Sequence, residues 1–429
     1  MLNLSRFKFG VWARMAGQSA WSRRGPLALV VAAISVSVFL VLSVSQLRQD
    51  AKNSFAHAVS GVDLIVGSRA SPTELMLYSV FHLGRPARSI SFDHYEDIVQ
   101  LPEVAWALPL QMGDTSRGSA VVGTTPMFFS KMGGASGLEF AQGEAFSHIF
   151  DVVLGAEVAA RMQHTVGEKI ELTHGKSDGL AETHSDTPFT ITGILRSTGT
   201  PVDRSVFISL AGFEAIHIGW ELGTKPTSSA QNPVAAQAID PLRLQPYQVT
   251  AVLVGLQARQ QVFTAKRKIE ALSPSLMAIL PGVTLDELWQ VMAVAEQTLN
   301  LMAWLVAFSA LLGVSATLLI SLASRRKELA ILRAVGASPG HVMWFVLLES
   351  FVVCLAGILL GWAIMHISIF SFSDLLRSEF GVIMSHRWPD TQGQLALGGL
   401  AGVSFLASLI PAWRAYRLSL HDGLNPPVI

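Results

Sequence analysis

The sequence predicts a membrane α-helical protein of four transmembrane helices, with a large α+β extracytoplasmic domain inserted between helices 1 and 2. Three observations lead there. Half of the residues are hydrophobic and 14% are charged, yet the apolar residues gather into a few long runs. An ordinary stretch of about 250 residues separates the first run from the second and is long enough to bury a core of its own. Arginines and lysines cluster beside the inner end of each run, which fixes the orientation.

Residues 1–25 form a cytoplasmic amphipathic segment. Phe7, Val11 and Met15 recur at fourfold spacing among Arg6, Lys8, Arg14, Arg23 and Arg24, which suits a helix lying along the inner membrane surface. Residues 26–46 are uncharged and long enough for a first span. The run exceeds a cleavable leader's apolar core, so it is expected to be retained.

Residues 47–283 then face the periplasm, with a core at about 60–110 and 245–283 and a β-rich insert at about 115–220. Val62–Val66 and Val104–Leu110 read as strands, and Phe92–Val99 as a short helix. VVGTTPMFF, DVVLGAEVAARMQHTVGEKIELTHG and PFTITGILRST read as strand-like runs broken by glycine or proline. Gly223–Asp240 has no periodicity and reads as a surface loop. Tyr247–Val254 returns as a strand, and Val262–Leu272 as a helix with Lys266, Arg267 and Lys268 toward solvent.

Thr284 and Glu287 form a capping-box signature. It opens a stalk plus second span over 284–323; roughly 40 helical residues would extend about 60 Å, twice the hydrocarbon thickness. Residues 324–338 make a short basic segment with Leu329, Leu332 and Val335 at helical spacing. Gly336 supplies a left-handed exit, and Ser338-Pro339 caps the next helix. The third span is 341–370, an external loop follows at 371–391, the fourth span is 392–413, and 414–429 is a cytoplasmic tail. Gly357 with Gly361, and Gly398 with Gly402, are small-xxx-small pairs that permit close helix approach. Glycine is also simply common in membrane helices.

RRKELAILRAVGAS, followed by an apolar helix carrying LLE, resembles the permease subunits of the MacB/FtsX/lipoprotein-release (LolC/LolE-like) group of ABC transporters. VVLGAEVAARM, VGEKIEL and FTITGILRSTGTPVDRSVFISL resemble the periplasmic domain of the same family. The resemblance implies that 324–338 is a coupling helix that touches a cytoplasmic ATPase, through Arg325, Arg326, Glu328, Leu329, Leu332, Arg333 and Gly336. It further implies a cytoplasmic ABC ATPase subunit dimer as partner and a second permease copy or a paralogue. A periplasmic adaptor, a lipoprotein or a cell-wall hydrolase would be the outer partner.

The motifs for chemistry are missing. Gly175-Lys176-Ser177 has Ile170 where a P-loop needs glycine, HExxH does not occur, and neither GxSxG match, at 175–179 or at 336–340, is read as a nucleophile elbow. No cofactor is expected, and ATP hydrolysis would belong to a separate subunit. Balanced charge with no basic face argues against nucleic acid, and the single cysteine, Cys354, makes no intrachain disulfide. His174, His184 and Asp186, near His164 and Asp178, are candidate metal ligands; solvated loop histidines explain them more simply. Glu349, about two turns into a span, is read as a structural contact to the coupling helix. The function that follows is mechanotransmission: cytoplasmic ATP hydrolysis moves a periplasmic domain for export, efflux or lipoprotein extraction. The alternative is a transmembrane scaffold that regulates a periplasmic enzyme such as a cell-wall hydrolase.

Overall fold

The computed structural model describes residues 24–84, 88–174, 182–183, 188–217, 244–324, 331, 333–334, 336–380, 388–389 and 391–417. The N-terminal amphipathic segment, the loop at Gly223–Asp240 and residues 325–330 therefore lie outside the described residues. In order the chain runs through α1 (Arg24–Ala58), β1 (Leu64–Ser68), α2 (Pro72–Ser79), β2 (Ile90–Ser91), α3 (Phe92–Val99), β3 (Val104–Ser116), β4 (Ser119–Thr124), α4 (Met127–Lys131), β5 (Phe140–Gly143) and β6 (Asp151–Leu154). It continues with α5 (Ala156–Met162), β7 (Lys169–Ile170), β8 (Thr173–His174), β9 (Glu182–Thr183), β10 (Phe189–Leu195), β11 (Ser205–Ser209), α6 (Leu210–His217), β12 (Gln248–Val249), β13 (Ala251–Leu256), α7 (Val262–Leu272) and β14 (Leu276–Ile279). It closes with α8 (Pro281–Ser324), α9 (Pro339–Phe380) and α10 (Thr391–Arg417). α1, α8, α9 and α10 are long and apolar enough to cross a membrane. Two compact units result: Met1–Gln49, Ala293–Ser373 and Met384–Ile429 form one, Asp50–Met292 with Asp374–Ile383 the other.

In the strand-rich unit the strands join in the order β14-β1-β13-β3-β4-β11-β6-β10-β5. β3 is the shared member. Its first half pairs with β13 from Val104 to Leu110, and its second half pairs with β4 from Gln111 to Ser116. Side chains alternate between two buried faces, as a strand's twofold period requires. Leu64 and Val66 of β1, Val252 and Val254 of β13, and Leu276 and Ala278 of β14 pack with Ala265 and Ile269 of α7. Ile65, Leu253, Met277 and Ile279 point the other way, into a core with Phe128, Phe129 and Phe207. A third core joins Val152 and Leu154 of β6, Val206 and Ile208 of β11, Phe189 and Phe213.

A buried carboxylate organises the turn before β11. Asp203, 2% exposed, accepts from the N–H of Thr198 and of Gly199, each at 2.8 Å, and from the hydroxyls of Ser197 at 2.9 Å and Thr198 at 2.8 Å. Four donors satisfy a charge that burial would otherwise penalise heavily. The turn sits so close to Gly155 that a Cβ there would lie 2.3 Å from the Val202 carbonyl oxygen, which leaves glycine as the residue that fits.

Several expectations change. PMFF after β4 is not strand: Met127–Lys131 is helical after Pro126, and AEVAARM is the helix Ala156–Met162, as its helix-forming composition favours. α8 begins at Pro281, one turn before the expected capping box, with Thr284 already inside and its N–H bonded to Leu280 O at 3.1 Å. Proline suits that first position because its missing N–H has no helical partner there. Lys266 and Lys268 are not simply solvated: Lys266 donates to Ala278 O and pairs with Glu270 at 3.2 Å, and Lys268 pairs with Glu103 at 2.5 Å. α1 runs on to Ala58 and α9 to Phe380, so the loop expected from residue 371 begins later. No proline or glycine interrupts SIFSFSDLLRSEF, so nothing stops the helix sooner.

In the helical unit, Gly357 and Gly361 meet α1. A Cβ on Gly357 would lie 2.7 Å from Ile34 Cβ, and one on Gly361 would lie 2.6 Å from Ser35 O and 2.8 Å from Val38 Cβ. The Ser35 hydroxyl donates to the Gly357 carbonyl at 3.0 Å and to Val31 O at 2.7 Å. The second pair behaves differently: a Cβ on Gly398 or Gly402 meets nothing within 4 Å among the described residues, while one on Gly399 would stand 3.1 Å from the Trp304 ring. One residue is about 100° around a helix, so the face of α10 turned to α8 is the neighbouring one.

Gly361→Val is expected to overpack the α1 contact, at a cost of about 1–3 kcal/mol, whereas Gly402→Val should be nearly silent. Thermal unfolding of the detergent-solubilised chain compares them; equal midpoints would remove the distinction. A pH effect follows from α6. The fully buried Asp114 carboxylate lies 3.4 Å from His217 Nε2, and His217 Nδ1 lies 2.7 Å from Phe213 O. Burial pulls the His217 pKa down, but the hydrogen bond and charge of Asp114, with Phe213 O and Glu214, carry it above its ordinary 6.5. The stabilisation is complete below the unfolded value of 6.5 and fades as pH rises through the raised folded value. His217→Gln should therefore lower the unfolding midpoint at about pH 5 and do so much less at about pH 9; a pH-independent gap would contradict this.

Candidate coupling site

Three helix ends meet in one small apolar cluster. Leu322 comes from α8, Val342, Val346 and Leu347 from α9, and Ala412 and Ala415 from α10, with Met343 against them. Both alanines are essentially sealed, Ala412 at 0% and Ala415 at 1% exposure, so larger residues would force the ends apart. α8 ends at Ser324, two residues beyond Leu322, and the segment that joins it to α9 leads into Pro339.

Its exit is built from backbone geometry. Gly336 has φ +110°, its N–H donates to Arg333 O at 3.0 Å, and a Cβ there would meet nothing within 4 Å. The demand for glycine is thus conformational and not spatial. Ser338 then starts α9: the His341 N–H donates to Ser338 O at 3.0 Å and reaches its Oγ at 3.4 Å. The Ser338 Oγ lies 2.7 Å from His341 Nδ1. Pro339 takes the first helical position.

The exposed groups among the described residues of this exit and of the end of α10 include apolar and cationic side chains. Ile331 is 59% exposed, Arg414 and Arg417 are exposed on α10, and the Arg417 guanidinium stands 4.1 Å over the Trp413 ring. Such a surface can seat against a groove with an acidic rim. Glu349 is buried about two turns past Val342, the cluster's first α9 residue, at 5% exposure, beside Ser350, whose hydroxyl bonds to Val346 O at 2.8 Å.

Of the residues expected to couple, Arg333 and Gly336 fall at this exit, whereas Arg325, Arg326, Glu328, Leu329 and Leu332 lie outside the described residues. His184, Asp178, Asp186 and the His174 side chain lie outside them too. His164 Nδ1 is 2.9 Å from Glu168 Oε2, and among the described residues no group of three His, Cys, Asp or Glu side chains could hold a metal. The sequence reading missed Ala412 and Ala415, whose three-residue spacing ahead of Arg417 was the available signal. It also missed the ion pair of Arg48 and Glu296, at 2.7 Å between α1 and α8. Isolated opposite charges in two apolar helices were its trace.

Comparison with known proteins gives two family matches. Residues 27–272 match the MacB-like periplasmic core domain, and residues 300–420 match the FtsX-like permease C-terminal domain. The chain is 33% identical over 144 residues to the macrolide export ATP-binding/permease protein MacB of Chromobacterium violaceum, covering 33% of this chain and 22% of that protein. It is 32% identical over 127 residues to the corresponding protein of Sodalis glossinidius, covering 30% and 19%. The chain thus spans about a fifth of the length of these relatives. The crystal structure of the periplasmic region of MacB from Actinobacillus actinomycetemcomitans aligns with a TM-score of 0.34 and 7% identity, over 54% of this chain and 95% of that one.

At the exit itself, Gly336→Val should destabilise the turn by about 1–2 kcal/mol, the cost of a left-handed backbone for a residue with a Cβ, and Gly336→Asn by less. Hydrogen exchange of the amides from Gly336 to Val342 reads this directly. Unchanged protection in the valine variant would show that the turn does not need glycine.

Proposed function

The chain belongs to the MacB/FtsX-type family of ABC transporter permeases, multi-pass proteins of the inner membrane, and on that premise we propose that it works by mechanotransmission. ATP is hydrolysed by a separate cytoplasmic ABC ATPase dimer that docks on residues 324–338 of two permease copies, or of this chain and a paralogue. Closure of that dimer shifts the docked segment, and the shift is passed along the helices to the domain inserted between helices 1 and 2, which faces the periplasm. Movement there drives export, efflux or lipoprotein extraction.

The observation that supports this most is that α1 and α8 each carry residues of both compact units. Arg48 and Glu296 tie the two helices together, and farther along α8, Leu285 is buried in the phenylalanine-rich core of the strand-rich unit. A helix that runs unbroken from one unit into the other is an element through which displacement can pass. The four long helices also offer few buried polar groups for a hydrophilic conduit: Ser35, Ser37, Gln46, Asp50, Thr284, Ser315, Glu349, Ser350, Ser404 and Ser408 are those buried among their described residues. That favours work done outside the bilayer over passage through it.

In the proposed dock, Leu329 and Leu332 are the apolar anchors, with Arg325, Arg326 and Arg333 set against an acidic rim. A central anchor is worth about 2 kcal/mol or more at an interface, and a rim charge less. Leu332→Asp is expected to abolish permease-stimulated ATP hydrolysis while membrane insertion and domain folding persist. Arg326→Ala should weaken assembly in a salt-sensitive manner. Copurification and ATPase stimulation measure both, and a Leu332→Asp chain that still copurified and coupled normally would remove the dock.

A further inference from the structure

The strand-rich unit contains a cavity of about 300 Å³ that the transport reading does not use. That volume is at the small end of ligand pockets. Phe55, Leu77, Phe81 and Leu288 give it an apolar wall, and Arg161 and Arg204 also line it. Arg161 donates to the Ser119 hydroxyl and has no carboxylate within ion-pair distance among the described residues. Arg204 forms an ion pair, its Nε lying 3.4 Å from Glu157 Oε2.

Backbone geometry at the wall is unusual. His82 sits at φ +52°, a conformation disfavoured for a residue with a Cβ and often found where a site holds it in place. Its Nδ1 lies 2.6 Å from the Ser205 hydroxyl, which itself lines the cavity. Burial pushes the imidazole down to about 4, so the ring is neutral at physiological pH and the guanidinium groups supply the charge. Guanidinium recognises carboxylate and phosphate through paired N–H donors, and the aromatic and leucine wall removes apolar surface from water.

We propose that this cavity binds an anionic amphiphile, a carboxylate or phosphate joined to an apolar chain. The ligand is either a free soluble amphiphile or an anionic membrane lipid, and both present the same chemistry to the lining.

Photo-crosslinking tests it on the full chain in phosphatidylcholine nanodiscs, with a diazirine-bearing decanoate as probe. Labelled peptides should contain Leu77–Leu83 or Leu288. Excess decanoate should suppress labelling if the site takes free amphiphiles, and dihexanoyl-phosphatidylglycerol should suppress it if the site takes lipid; either result supports the proposal. Arg161→Gln should reduce labelling about tenfold, the scale of a lost charge-assisted hydrogen bond, and Leu83→Asp, at an exposed rim position, should do the same by repelling the anion. Labelling elsewhere in the chain would overturn the proposal. So would suppression by decanol equal to that by decanoate, suppression by inorganic phosphate alone, or an Arg161→Gln chain that labels normally.

Discussion

Two missing side chains set the packing of the membrane unit. At Gly357 and Gly361, α9 approaches α1 so closely that a Cβ would collide with Ile34, Val38 and the Ser35 carbonyl. Lipid tails are as apolar as leucine, so hydrophobicity does not hold membrane helices together; close van der Waals contact and interhelical hydrogen bonds do. The glycines provide the first, and the Ser35 hydroxyl, bonded to the Gly357 carbonyl, provides the second. Ile34 and Val38 belong to the same buried cluster as Ala303 and Ala307 of α8 and Leu400 of α10. The positions of the other two helices are thus referred to the α1–α9 contact.

The strand-rich unit solves a different problem in water. Its sheet is buried on both faces, and β3 serves two groups of strands at once, so the two halves share backbone hydrogen bonds as well as apolar surface. Asp203 fixes the turn that feeds β11, and β11 lies parallel to β4 and antiparallel to β6. The same turn supplies Arg204 and Ser205 to the cavity wall. Core packing and cavity lining therefore come from one short stretch of chain.

Much of this was legible in the residues. The four apolar runs mark the four long helices, the α3 bounds match the FDHYEDIV pattern, and Gly336 and Ser338-Pro339 announce the exit turn by chemistry that admits few alternatives. Composition was less informative where local and tertiary signals compete. AEVAARM follows a strand closely enough to look like its continuation, and only the helix propensity of alanine, glutamate and arginine separates them. α9 outruns its expected end because an apolar run bounds the hydrocarbon, whereas a helix ends only where something stops it. Gly398 and Gly402 carry the same small-xxx-small pattern as Gly357 and Gly361, and yet the contact falls on Gly399; spacing defines a face but not which neighbour it meets. His82, Ser205 and Arg161 are far apart in the chain and come together only through the sheet.

Mechanotransmission is most directly tested by watching the helix move. In a chain with the single cysteine, Cys354, replaced by Ala, a spin label at Val291→Cys, a position 76% exposed on α8, reports the distance between copies in the assembled complex. Pulsed electron resonance in the nucleotide-free and ATP-trapped complexes should give two different distance distributions. Identical distributions in a complex that hydrolyses ATP would contradict the account, because the energy would then be spent without moving the helix that is meant to carry it.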